Sequence, residues 1–149
     1  MFSRRYVPKI LSRKDRKQVI RMLMRSKKLY KKQQFYTRKN IPSYKSKKSK
    51  HLSNAYRIYN IKTITPNKEL SIKTGCKLSA LKQIVKKGEG AYYSSGSRPN
   101  QTPQSWGLAR LASALTAGKA AVVDFDIINE GCDHRKKAFL FANQLRKNP

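Results

Sequence analysis

Acid is what this chain most lacks. Seven Asp and Glu stand against 35 Lys and Arg, which leaves a net charge of +28 on 149 residues. Such an imbalance opposes folding in isolation through self-repulsion, and it implies a polyanion or an acidic protein surface as partner. Cysteine is scarce as well. Cys76 and Cys132 are too few for a disulfide framework, and they are expected as buried small hydrophobes in a reducing compartment. Only His51 and His134 could join them as ligands, with no C-x-x-C or H-x-x-x-H pairing, so zinc has little support and no cofactor is expected. Long apolar runs are missing too. The apolar runs are short pieces such as Ala120 to Val123, too short to span a membrane, and the basic N-terminus lacks the apolar stretch of a secretory signal. Its Arg-rich, acid-poor start could mimic a transit peptide, but in composition only.

The charge that is present is unevenly placed. Residues 1–50 hold 19 cations and one acid, Asp15, a net of 19 − 1 = +18, which leaves +10 for the other 99 residues. By composition 1–50 is a basic N-terminal arm and 51–149 a small domain. Within the arm, Asp15 marks a first helical turn. Val19, Ile20, Leu23, Met24 and Tyr30 predict one long helix to about Gln34, with Arg16, Lys17, Arg21, Arg25, Lys28 and Lys32 on its other face. Pro42 then predicts an extended tract in which Phe35, Tyr36 and Tyr44 alternate with Arg38, Lys39, Lys45, Lys47 and Lys48. Rings among cations can stack on bases or seat in a protein pocket.

Beyond residue 50 the pattern is helical. Leu52, Ala55, Tyr56 and Tyr59 share one face of a short helix. Thr65-Pro66 reads as an N-cap with proline at the first helical position, opening a helix that ends at Gly75, and Leu78 to Lys87 makes a second one closed by Gly88. Two short helices about a glycine turn suggest a helix-turn-helix-like hairpin. Its second helix would expose Lys77, Ser79, Ala80, Lys82 and Gln83. An ordinary helical hairpin meets the same requirements.

From Gly88 to Gln101 the chain is rich in Gly and Ser and reads as a loop. Thr102-Pro103 then starts a helix with Leu108, Leu111, Ala112 and Leu115 inward and Gly118 at its end. A phosphate cradle at this loop would need the Gly-Lys-Ser/Thr of a P-loop, which is absent. Tyr92, Tyr93, Ser95 and Arg98 are its expected outward contacts, unless the tyrosines pack inward with Trp106. Ala120 to Ile128 is either a short strand or one irregular helix. Cys132 to Lys147 reads as a C-terminal helix with Ala138, Phe139, Phe141, Ala142 and Leu145 apolar.

The inventory for catalysis is thin. Asp124 and Asp126 could hold Mg²⁺ for phosphodiester cleavage, but a nuclease needs further acids and a placed proton donor, so no enzyme is expected. Four acids between Asp124 and Asp133 could instead clamp the basic arm.

The run GAYYSSGSRPNQT followed by SW and ARLAS, with RSKKLY, YTRKNIPSYKSKKSKH and TGCKLSALKQIVKKG upstream, resembles an uncharacterised family of large double-stranded DNA viruses. These are algal and giant viruses, with looser relatives in tailed phages. The resemblance extends from about Arg13 onward and departs at Ala117-Gly118, where Gly-Gly is expected. It implies a virion setting, with host cytoplasm or nucleus during assembly, and supplies no catalytic residue. An arm of +18 seldom orders alone, which implies a large assembly. The expectation is therefore a mainly α fold, a small helical domain behind a basic extended and helical arm. Its role would be a minor capsid or core component bound to capsid proteins or DNA, with a helix-turn-helix DNA-binding protein as the alternative.

Overall fold

Local caps and apolar stripes give the chain a mainly α-helical fold, seen in a computed structural model that describes residues 2–148. The helices are α1 (Arg13–Lys31), α2 (Lys50–Tyr59), α3 (Lys68–Thr74), α4 (Leu78–Ser94), α5 (Pro103–Leu115), α6 (Lys119–Val123), α7 (Phe125–Gly131) and α8 (Lys137–Lys147). No strand occurs among the described residues; Cys76 and Cys132 form a single isolated bridge. The chain divides into two units, residues 1–47 with 89–106, and residues 48–88 with 107–149. Of the three boundaries, 88/89 and 106/107 fall within α4 and α5, and 47/48 falls in the tract before α2.

In the first unit α1 starts where its cap allows. Ser12 Oγ accepts from the Asp15 backbone N–H at 3.1 Å, and Asp15 places its charge in the first turn. Val19, Met22, Leu23 and Ser26 are buried, at spacing i, i+3, i+4, i+7. Met24, expected on that stripe, is instead 60% exposed. The reason is angular: five residues from Val19 bring Met24 about 140° away from it, so the two cannot share a face. The helix stops at Lys31, short of Gln34. Gln33 takes a left-handed φ of 60°, its N–H donates to Tyr30 O, and the Gln34 N–H donates to Leu29 O, a Schellman ending without glycine. No helix lies between α1 and α2, as Pro42 suggested. Residues 1–47, read from composition as part of an arm, build a small core from Val7, Leu11, Val19, Met22, Leu23 and Ile41. Asn100 fastens the extended tract to the 89–106 segment. Its Oδ1 accepts from the Ile41 N–H, and its Nδ2 donates to Ile41 O at 3.2 Å and Tyr44 O at 2.9 Å.

The second unit carries the larger core, with Leu70, Leu81, Ile84, Leu111, Leu115 and Ile128 essentially inaccessible. Each such side chain contributes about 1.5–3 kcal/mol by leaving water. α3 begins at Lys68 instead of Pro66, because Asn67 Oδ1 accepts from the Leu70 N–H at 2.8 Å and so caps the helix in place of Thr65. Thr102 does cap α5: its Oγ1 accepts from the Ser105 N–H at 3.0 Å. Gly88 does not end α4. A Cβ there would lie 2.6 Å from Gly107 Cα, so this glycine stays within the helix to let the α5 backbone approach. Half of the expected Gly88–Gln101 loop is therefore helix. At the end of α5 it is Ala117, with φ 60°, that occupies the left-handed position, while the Gly118 N–H donates to Ser113 O at 2.8 Å.

The open choice between strand and helix for Ala120 to Ile128 resolves into two short helices, α6 and α7, meeting at Asp124. α8 starts at Lys137, later than Cys132, since Cys132 is extended and pairs with Cys76. Lys77 N–H donates to Gly131 O and Asp133 N–H to Gly75 O, both at 2.7 Å, and these bonds flank a disulfide between the two cysteines. Both are buried as expected, but they are bonded to each other, a pairing between residues 56 apart that spacing could not reveal.

Candidate polyanion-binding surface

The α1 face opposite its buried stripe is cationic. Lys17, Arg21, Arg25 and Lys28 recur at i, i+4, i+8 and i+11, and Lys32 follows at i+15 as the C-cap. At 100° per residue these five lie within about 80° of one another and extend over about 22 Å. All five are exposed. The only acid of α1, Asp15, is buried, and its carboxylate accepts from the Ser43 N–H at 3.2 Å. Hydrogen bonding from Ser43 above all, and from Ser12, holds the Asp15 carboxyl below its ordinary pKa. Arg25 lies over the Tyr36 ring at 4.8 Å, which steadies its guanidinium without neutralising its charge.

Two expected members leave this surface. Arg16, about 100° round the helix from Lys17, is half-buried and donates to Lys9 O at 3.1 Å and Pro8 O at 3.4 Å. Arg38 turns inward and is half-buried. Its Nη1 donates to Ser26 Oγ at 3.0 Å and Tyr92 O at 2.9 Å, and its Nη2 donates to Ser97 Oγ at 2.8 Å. The guanidinium also stacks on the Tyr92 ring at 3.8 Å. Burial draws the Arg38 pKa below the ordinary arginine value, with the Tyr92 phenol acting the other way. Arg38 is thus a structural hub and not a partner contact, whereas its neighbour Lys39 is exposed, as are Lys45 and Lys47. Lys48 is exposed in the second unit.

The expected outward contacts of the serine-rich stretch divide in the same way. Tyr92 is 0% exposed, and its hydroxyl accepts from the Arg38 N–H at 2.8 Å, so it belongs to the interior. Ser97 is buried and donates to Arg98 O, which leaves it unavailable to a phosphate. Ser95 and Arg98 are exposed, and Tyr93 is half-buried. Tyr93 belongs to a cluster that no periodicity announces. It stacks on Tyr30 (centroids 6.0 Å apart, planes at 9°) and tilts against Phe35 (5.1 Å, 49°). Only the spacing of Tyr30 and Phe35 about the end of α1 could have hinted at it.

In the second unit Lys77, Ser79, Lys82 and Gln83 are exposed at the start of α4, but Ala80 is buried, its Cβ where a side chain at Gly131 would fall. Asp124, weighed above as a metal ligand, is already engaged. Arg110 grips its buried carboxylate at both oxygens, Nε to Oδ2 at 2.8 Å and Nη2 to Oδ1 at 2.7 Å, and Lys87 Nζ lies 3.3 Å from Oδ1. That hydrogen bond raises the Arg110 pKa against the desolvation that would lower it. Asp133 pairs with Arg135 at 3.2 Å. Both carboxylates thus serve cations of their own unit. Among the described residues no three His, Cys, Asp or Glu side chains gather as a metal site, and no helix is long and apolar enough to cross a membrane.

The model of a family of unknown function (DUF5824) matches residues 4–130. No curated protein and no solved structure matches the chain. The matched span takes in α1 to α6 and nearly all of α7.

Proposed function

The chain belongs to the DUF5824 family, and from that premise we propose that it is a virion-associated structural protein of a large DNA virus. In this reading it is a minor capsid or core component, held to acidic capsid neighbours or packaged DNA by the cations of residues 1–50. The observation that carries the proposal is the α1 ridge: five exposed cations on one face, with the only acid of the helix buried beneath Ser43. Solvated surface helices usually mix both signs of charge, because like charges at i, i+4 repel. A helix that leaves Lys17, Arg21, Arg25, Lys28 and Lys32 uncompensated stores repulsion that a polyanion relieves. The viral setting rests on the sequence resemblance described above.

The test measures binding of the full chain to duplex DNA and to polyglutamate across a salt series. Counterion release predicts a log–log slope of about −0.9 per phosphate neutralised on DNA. Replacing Lys17, Arg21, Arg25 and Lys28 by Gln should flatten the slope by several such steps without unfolding the helix. An unchanged slope would remove the ridge from the interface. Mass spectrometry of purified particles that never detects the protein would sink the virion reading.

A second reading, a helix-turn-helix DNA-binding protein, is favoured by the exposure of Lys77 just before α4 and of Ser79, Lys82 and Gln83 on it, behind the left-handed Gly75. Such a protein would retain a sequence preference at high salt, and Gln83→Ala would relax it at one base position by about 1–3 kcal/mol. Binding indifferent to sequence refutes it.

A further inference from the structure

Resting on the polyanion-binding reading, we infer that the first unit carries a separate face for single-stranded nucleic acid, in which Phe35 offers a stacking surface and Lys27 and Lys31 take the phosphate. Phe35 is 69% exposed although two tyrosines buttress it, Tyr93 at 5.1 Å and Tyr30 at 6.1 Å. Both contacts are tilted, at 55° to Tyr30 and 49° to Tyr93, so neither tyrosine stacks flat on the ring. The Schellman turn at Gln33 sets Phe35 just beyond α1, and three residues later the Arg38 N–H donates to the Tyr92 hydroxyl at 2.8 Å, so the backbone is hydrogen-bonded before and after the ring. Burying a phenylalanine stabilises a fold, and here most of the ring is left in water.

The surroundings narrow the occupant. Beside the aromatic cluster lies a cavity of about 170 Å³ lined by Lys27, Tyr30, Lys31 and Ser94. Lys27 and Lys31 are i, i+4 on α1, so their ammonium groups serve the same face, and two hydroxyls complete a lining of donors. Lys27 also lies 5.1 Å from the Phe2 ring, and Glu89 on α4 acts electrostatically on the Tyr93 phenol. The first unit has 18 cations against two acids, Asp15 and Glu89, a net of 18 − 2 = +16. An apolar protein partner would have to dehydrate these lysines for the sake of one ring. A nucleotide matches both halves, since a base supplies a π-face and its phosphate an anion. A duplex hides its base faces in the stack, which leaves the single strand as the form that fits Phe35.

Fluorescence anisotropy of the full chain with labelled oligothymidine of about 20 nucleotides, with a duplex of equal length, and with polyglutamate tests this. Phe35→Ala and Phe35→Leu should each weaken oligothymidine binding about tenfold or more, while duplex binding changes by less than about twofold. Phe35→Trp should retain or strengthen it. Circular dichroism checks that each variant stays folded, and Phe35→Leu separates loss of stacking from loss of apolar bulk. If the Phe35 variants bind oligothymidine like the parent, or lose both oligonucleotides equally, the inference is overturned while the polyanion reading stands. If neither oligonucleotide binds, the inference also fails, and if polyglutamate is not bound either, the parent reading falls with it.

Discussion

Asp124→Asn should unfold this protein more readily than any surface charge change. The parent carboxylate is 0% exposed and meets Arg110 as a two-point fork, with that side chain 22% exposed, and Lys87, with 48% exposed. Removing one partner of a fully buried pair costs about 3–5 kcal/mol, mostly the penalty of an uncompensated charge. Arg110 retains some access to water and asparagine can still accept one hydrogen bond, so the expected loss is about 2–3 kcal/mol. In urea, with a slope of about 1–3 kcal/mol/M, this moves the midpoint by roughly 1–2 M. A double-mutant cycle then divides the term. Arg110→Met with Asp124→Asn should show coupling of about 2 kcal/mol, and Lys87→Met with Asp124→Asn less than about 1 kcal/mol, because an exposed ammonium is screened. The Arg110 coupling should survive high salt and the Lys87 coupling should not. A loss below about 0.5 kcal/mol for Asp124→Asn, or equal coupling to both cations, would refute the argument that burial and the fork decide its strength.

Three further outcomes are expected. Reducing Cys76–Cys132 releases a loop of 56 residues, which on chain entropy costs about 4 kcal/mol, and the loss should be visible as a lower thermal midpoint in reductant; an unmoved midpoint counts against the bond. Ala117→Gly should stabilise by about 0.5–1 kcal/mol, because glycine relieves the left-handed φ at the α5 end, and a destabilised variant would contradict the assignment of that ending. The native pKa of Asp15 lies below its unfolded value, so its contribution is fully present above that unfolded value, about pH 4, and is lost as pH falls through the native value. The stability gap between the parent and Asp15→Asn should therefore be flat near neutrality and shrink in acid. A gap independent of pH would mean the carboxylate charge is not what Ser43 and Ser12 stabilise.

Much of the helical framework was legible from neighbours in sequence. Ser12 before Asp15 and Thr102-Pro103 before Ser105 cap α1 and α5 because donor and acceptor lie three residues apart, and local chemistry suffices. Glycine was a poorer guide. Gly88 was read as a helix end, but its lack of a Cβ serves the approach of Gly107 nineteen positions later, while Gln33 and Ala117 take left-handed endings that composition would assign to glycine. The candidate surface divided similarly. That α1 would carry cations on one face followed from their spacing. That Arg38 would be drawn inward while Lys39 remained outside did not, since the Arg38 partners Tyr92 and Ser97 lie 54 and 59 residues away.

The sequence by itself determined the charge imbalance, the mainly helical fold and the cationic face of α1, because composition and a 3.6-residue period need no distant partner. Tertiary structure alone decided which cations stay free, that Asp124 is gripped by Arg110, that Cys76 meets Cys132, and that Phe35 faces outward beside Tyr93. Each of these depends on which distant backbone comes within hydrogen-bond or ring-contact range, and residue identity does not specify that.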